Sequence, residues 1–260
     1  MSLNDASAAK YAEVWFVDLA GSAAALEALE HEVPRLGARD RAAVLARKDE
    51  ATRQKRLVAH LALRVLLERA LGSGVRGVEL ERPAGAKPRL PGGVDLEFSL
   101  AHGEAAALIG IARGTAIGVD LEQVRPVRIS QARRQRMLWA GAALIGPEDV
   151  DAPAEAAFMR AWVRLEAVAK ADGAGLARTL GALGVRHAAP CGGRDEVVVR
   201  VLKHLSQTGL KVHDLPPRRG SVAALALAAT MRVPLLRAFP NDRAGIEAVL
   251  GELAPEPPAA

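Results

Sequence analysis

The stretch IGVDLEQV at 117–124 sets two carboxylates, Asp120 and Glu122, one residue apart at the end of an apolar run. Ile117, Val119 and Leu121 alternate with Gly118, Asp120 and Glu122, the period-two pattern of a strand with one buried face. Both carboxylates therefore leave the strand on the same side. Like charges that close repel each other unless a proton or a cation lies between them. The pattern admits two readings: a solvated strand end, or an acidic site built to hold a cation.

A second pair of ionisable residues lies on a helix further along, in AFMRAWVRLEAVAKADGAGL (157–176). At about 100° per residue, Phe158, Trp162, Leu165 and Ala169 form one apolar stripe, with Arg160, Arg164 and Ala167 roughly opposite and expected to face water. Glu166 and Lys170, four residues apart, sit at the margin of the stripe. They are either a surface pair worth a few tenths of a kcal/mol or a carboxylate and an ammonium held at a core edge and aimed at a cleft. Gly173 and Gly175 supply the helix stop.

The elements that must position these residues follow from pattern and turn chemistry. EVWFVDL (13–19) reads as a first strand, and SAAALEALEHEV as a helix with serine at its N-cap. A long helical region, broken once, runs from Asp40 to Leu71, and its last segment is apolar enough to be core. Strands are expected at 78–82, 95–101, 107–112 and 116–122, with the Pro/Gly-rich loop RPAGAKPRLPGG between the first two. ISQARRQRMLWAGAAL and the segment from Pro153 to Ala171 read as helices, and 196–202 and 221–229 as strands. The stretch after Val233 holds five prolines and reads as a surface-draped or disordered tail. The expected organisation is α+β, with halves at 1–114 and 115–232 and a Pro-rich tail at 233–260.

The bulk numbers bound the function. The chain has 260 residues, half of them hydrophobic and a quarter charged, which is ordinary globular composition. A single cysteine, Cys191, excludes an internal disulfide framework and a Cys-rich zinc site. No signal peptide or bilayer-spanning run is visible, so a cytoplasmic protein away from membranes is expected. The net charge of +5 suits an anionic partner. An aromatic content of only 3% argues against single-strand nucleic-acid binding, which uses stacking platforms.

Taken together, FSLAHG (98–103), IGVDLE (117–122) and WVRLEAVAKADGAGL (162–176) resemble the Sfp-type 4′-phosphopantetheinyl transferases, with weaker support from 50–67 and AGAKPRL (84–90). The resemblance implies two similar α+β halves related by a pseudo-twofold axis, with the active site between them and one chain sufficing as a monomer. It implies transfer of the phosphopantetheine arm of coenzyme A to a serine of an acidic acyl or peptidyl carrier protein. By the same resemblance Asp120, Glu122 and Glu166 would hold Mg²⁺; Glu166 at the core margin could also take the serine proton, directly or through a metal-bound water, and Lys170, one turn on, would steady the pyrophosphate or leaving group. His102, Lys87, Arg53 and Arg41 would contact coenzyme A phosphates, and Arg133, Arg134 and Arg136 would form a docking surface for the carrier.

The chain departs from the family pattern at three positions. Ala101 and Gly103 replace the serines that usually flank the histidine, Leu165 replaces a lysine before Glu166, and Ala86 replaces a glycine before Lys87. A second reading is therefore a coenzyme A- or carrier-binding relative with impaired transfer, which restoring serine and lysine would cure. A third, a basic nucleic-acid-binding protein, has against it the scarce aromatics and the carboxylate set.

Overall fold

Val14 to Val17 are buried without a break along the first strand, β1 (Tyr11–Asp18), the mark of a strand covered on both faces. In the computed structural model, which describes residues 10–146, 153–186, 193–218 and 220–252, one face of β1 meets helices and the other meets a second sheet. After β1 come α1 (Leu19–Glu32), α2 (Ala38–Leu45), α3 (Glu50–Leu71), β2 (Glu97–His102) and β3 (Ala106–Arg113). The chain continues with β4 (Ile117–Gln123), α4 (Gln131–Ile145), α5 (Ala154–Asp172), α6 (Leu176–Ala182) and α7 (Arg194–Thr208). It ends with β5 (Leu210–Arg218), β6 (Ser221–Ala228), β7 (Leu236–Ala238) and α8 (Arg243–Gly251).

The fold is mixed α+β, with two sheets ordered β2-β3-β1-β7 and β4-β6-β5. In the first, β3 runs antiparallel to both β1 and β2. In the second, β6 runs antiparallel to both β4 and β5. A strand, then helices, then a hairpin whose second strand sits centrally thus occurs twice along the chain. Helices α1, α3 and α8 cover one sheet, and α4, α5 and α7 cover the other. A third apolar cluster, including Val14, Phe16 and Leu108 from one sheet and Ile117, Val119 and Leu225 from the other, joins the two. Gly110 lies at this seam because a Cβ there would sit 2.8 Å from Ile117 Cδ1.

Four expectations are corrected. The valine-rich run 196–202 is not a strand but the middle of α7. Its valines bury at positions 197 and 201, and Glu196 pairs with Arg200 one turn on (2.6 Å), so tertiary packing overrides β propensity. Residues 78–82 contribute only an isolated bridge, Glu81 to Arg89, while β5, which carries two prolines, is an edge strand the reading missed. Asp18, not a serine, caps α1 by accepting from Gly21 N (3.3 Å). Ser22 instead lies buried, donating to the carbonyl of Pro240 (3.1 Å).

The fourth correction concerns the tail. Its described part adds β7 in parallel to β1 and packs α8 on the first core through Ile246 and Val249. Trp15 lies between Arg237 (4.0 Å to the ring centroid) and Arg69 (5.6 Å). Buried Glu13 accepts from both arginines, at 3.2 and 2.5 Å. Arg69 on α3 and the Trp15 indole hold the buried Glu13 carboxylate, and Arg237 on β7 adds a second guanidinium to it. Among the described residues no helix is long and apolar enough to cross a membrane.

Ile246 is fully buried, so Ile246→Ala should cost about 2–5 kcal/mol. A denaturant titration showing a loss near zero would mean that α8 is not part of the folding unit.

Candidate active site

Gly118 decides how close α5 lies to β4. A Cβ on it would stand 2.0 Å from the Ala167 carbonyl oxygen and 2.4 Å from Ala171 N, so only glycine admits the contact. Two residues on, on the same strand face, Asp120 meets Lys170: Nζ donates to Oδ1 at 2.6 Å. Lys170 also lies 4.0 Å from Glu166 Oε2. Asp120 is only 4% exposed, which rules out the solvated strand end, and its Oδ2 is buried without a hydrogen-bond partner. Glu122, at the rim of the strand, is partly exposed, with Arg125 3.7 Å away.

The three carboxylates influence one another. Burial is the main cause pushing Glu166 up to about 7, and the negative charges of Asp120 and Glu122 add to it against the pull of Lys170. Asp120 is raised by burial, with Lys170 opposing. Glu122 is raised by burial and then by Asp120. Asp120 thus makes it harder for Glu122 and Glu166 to hold a charge, and Glu122 does the same to Glu166.

Of these residues Glu166, with Lys170 on the same helix, lines a cavity of about 340 Å³ that His102 at the end of β2 also borders, whereas Asp120 and Glu122 stand behind its wall. Lys87 enters from the loop before β2, bonded to Glu97 (2.5 Å) and to the Ile117 carbonyl (3.2 Å). That loop touches the other half at Gly175 (φ +90°), where a Cβ would fall 1.6 Å from the Gly85 carbonyl oxygen. His102 stands at the rim, and burial, then Arg56 and Lys170, lower its pKa. The structure therefore brings together Asp120, Glu122, Glu166 and Lys170, with Lys87 and His102 along the same cavity.

Arg41 and Arg53 lie elsewhere. They line a separate cavity of about 300 Å³ formed by α1, α2 and α3, and Arg41 is bonded to Glu30 (2.7 Å). On the main cavity stand Arg56, His60 and Arg82 instead, which the sequence reading passed over. Its available signal was the one-turn spacing of Arg56 and His60, which puts both on one face of α3. Of the arginines read as a docking run, Arg134 folds inward onto Glu155 (3.0 Å) and the Phe158 ring (4.4 Å). Arg133 borders a smaller groove next to Glu122.

Helix α5 is buried on more sides than its wheel suggests. Arg164, expected in water, is buried, donating to Asp214 at 2.8 and 2.5 Å and to the Gly141 carbonyl at 3.2 Å. Ala167 is buried against β4. The missed strand β5, which carries Asp214, explains the first error, and the glycine on β4 the second. Leu165 and Ala101 also lie in apolar clusters and line no part of the cavity.

Among the described residues, no three histidine, cysteine or carboxylate side chains converge tightly enough to hold a metal as they stand, and Lys170 takes one Asp120 oxygen. The donor set nevertheless fits a hard divalent cation. All three groups are oxygen donors, Asp120 Oδ2 is buried and unpartnered, and the carboxylates lack the positive charge their ionised forms need.

An acidic cluster between β4 and α5, on the face of β4 away from the inter-sheet seam, stands beside a cavity lined by several cations, an arrangement suited to a charged ligand. Residues 116–226, which run from the entry of β4 into β6 and carry all three carboxylates and Lys170, match the model of the 4′-phosphopantetheinyl transferase superfamily. The match spans less than half of the chain. No curated protein matches the sequence.

Because Glu166 binds its proton more tightly folded than unfolded, the folded state carries the extra proton between about pH 4.5 and 7. Stability should therefore fall as pH rises through that window, by a few kcal/mol at most, about 1.4 kcal/mol for each tenfold change in proton affinity. Asp120 and Glu122 shift in the same direction and steepen the fall. In urea unfolding across a pH series without divalent cations, Glu166→Gln should flatten the slope; an unchanged slope would refute the assignment.

Proposed function

We propose that the protein transfers the 4′-phosphopantetheine arm of coenzyme A to a serine of an apo acyl or peptidyl carrier protein, releasing adenosine 3′,5′-bisphosphate. The observation that carries this reading is the placing of Glu166, at a pKa near 7, beside Asp120 and Lys170 at the mouth of a cation-lined cavity. The match of 116–226 to the superfamily supports it. So does the repeat of strand order in two halves, the arrangement expected of a pseudo-twofold relation.

In this reading the carrier serine oxygen forms a bond to the pantetheine-side phosphorus of the pyrophosphate. The bond from that phosphorus to the bridging oxygen breaks, and the nucleotide leaves with its electron pair. Glu166 accepts the serine proton, a role its near-neutral pKa suits. Lys170 and Lys87 face the departing phosphate with positive charge, and His102 donates from the rim. Asp120, Glu122 and Glu166 would hold Mg²⁺, which when bound neutralises pyrophosphate charge. A basic surface around Arg133 and Arg136 suits an acidic carrier.

Ala101 and Leu165, the departures that favoured impaired transfer, lie in apolar clusters away from the cavity. Restoring them should not raise activity, and Leu165→Lys should cost several kcal/mol by burying an ammonium. A sharp gain in turnover by that variant would reinstate the impaired-transfer reading.

The direct test is the intact mass of an apo carrier after incubation with this protein, coenzyme A and MgCl₂. The expected result is one added phosphopantetheine, lost with EDTA and reduced at least about 100-fold in rate in Glu166→Gln. No mass gain on either acyl or peptidyl carriers would reject the transferase.

A further inference from the structure

Helix α5 is tied to the second sheet by two ion pairs that end on a single row of residues. The register sets Asp120 of β4 opposite Ala224 of β6, and Ala224 opposite Asp214 of β5. Residues paired in this way share a face of the sheet. Ala224 lies in the core that α5 covers, so both carboxylates leave the sheet toward the helix. Lys170 meets one and Arg164 the other. The two ties differ in kind. Lys170 is a quarter exposed, lines the main cavity and takes one Asp120 oxygen at 2.6 Å. Arg164 is buried, lies off the cavity and takes both Asp214 oxygens, at 2.8 and 2.5 Å. Its third nitrogen donates to the Gly141 carbonyl on α4 (3.2 Å). Gly141 packs there so closely that a Cβ on it would fall 2.5 Å from Ala161 Cβ of α5. One guanidinium therefore joins α5, β5 and α4.

We propose that Arg164 and Asp214 are positioning residues that anchor α5, so that Lys170 can leave Asp120 while Glu166 stays opposite β4. The proposal rests on the reading of Asp120, Glu122 and Glu166 as a cation site. Asp120 offers both oxygens to a divalent cation only when Lys170 gives one up, and the freed ammonium then turns to an anionic ligand in the cavity. That exchange removes a tie between α5 and β4 just where Glu166 and Asp120 must stay within reach of one ion. Arg164 takes no part in it. Glu166 lies between the two ties along the helix and about 200° around it from Arg164. A roll of α5 that loosened the Arg164 fork would carry Glu166 away from Asp120. The fork resists such a roll because two parallel N–H···O bonds fix direction as well as distance.

Losing one partner alone would strand a buried charge and endanger folding. The test therefore replaces the pair, Arg164→Met with Asp214→Leu, because exchanging a buried ion pair for apolar side chains commonly keeps stability. Urea unfolding checks that it does. Mn²⁺ binding is then read by calorimetry on the whole protein without coenzyme A. The double variant should bind Mn²⁺ at least about tenfold more weakly than the wild type, the value of one charged contact. Arg164→Lys, which keeps the charge but gives up the fork, should fall between them. Lys170→Met should bind Mn²⁺ more tightly, because no ammonium competes for Asp120. In the carrier-mass assay the double variant should lose kcat while KM for coenzyme A stays within about twofold, a split that general loosening of the fold would not produce. Three results would overturn the proposal: no Mn²⁺ binding by the wild type, unchanged Mn²⁺ affinity in the folded double variant, or weaker binding in Lys170→Met. If the double variant does not fold, Arg164→Lys decides in the same way. A carrier that gains no mass while Mn²⁺ affinity still depends on Arg164 would reject the transferase and leave the anchor standing.

Discussion

The approach of α5 to β4 over Gly118 is the constraint on which the site depends. Strand–helix packing with ordinary side chains keeps the two backbones apart by the depth of those side chains. Here a missing Cβ lets the carbonyl of Ala167 and the amide of Ala171 lie on the strand itself. Lys170 then reaches Asp120 over a short distance, and Glu166, one turn earlier, faces the same strand end. A larger residue at 118 would push the helix outward and part the two halves of the acidic cluster. Shape complementarity at one residue therefore fixes the electrostatics of four others.

Burying those charges works against folding unless each finds a partner. Lys170 satisfies one oxygen of Asp120 and leaves the second orphaned. It stands too far from Glu166 for a hydrogen bond, and Glu166 responds by holding its proton to near neutrality. The first half handles buried charge differently. Glu68 accepts from both Arg35 (2.7 Å) and Arg76, and Asp40 from both Arg64 and Arg82, so these two carboxylates are each matched by two guanidiniums. Balanced networks hold a scaffold, and unbalanced ones mark where a ligand's charge is missing. By that criterion the departure from balance at β4–α5 is an excess of carboxylate.

How much of this was legible depends on whether the deciding feature is local. The placing of Asp120 and Glu122 on one strand face and of Glu166 and Lys170 one helical turn apart follows from backbone period alone, and both placements hold. Arg164 was misplaced because its burial depends on Asp214 of β5, a strand hidden by its prolines. The valine run of α7 was misread because β propensity is local while its two buried valines are chosen by α4 and β5. The tail was misread because prolines 234 and 240 flank β7 rather than interrupt it, and because its anchor, the Trp15 sandwich, lies at the far end of the sequence. Arg53 and Arg56, three residues apart, face different cavities. The helix phase that separates them is set by which leucines of α3 enter the core, a choice made by β2 and β3 and not by the arginines.

The position of the cavity ties stability to chemistry. Its walls come from both sheets: α3, β2 and the Lys87 loop on one side, α5 on the other. What holds the walls in register is the seam between the sheets, an apolar cluster crossed by a hydrogen bond from Val119 N to Ser99 Oγ (3.0 Å). Ser99 precedes His102 on β2 and Val119 precedes Asp120 on β4, so this one bond links the strand that ends in the rim histidine to the strand that carries the carboxylates. A shift of the seam by a single pleat would exchange the faces of β4, turning Ile117, Val119 and Leu121 toward α5 and Asp120 into the inter-sheet core. The burial of an unpaired carboxylate among those apolar residues would cost several kcal/mol, so the placement of the acidic residues and the register of the fold enforce each other.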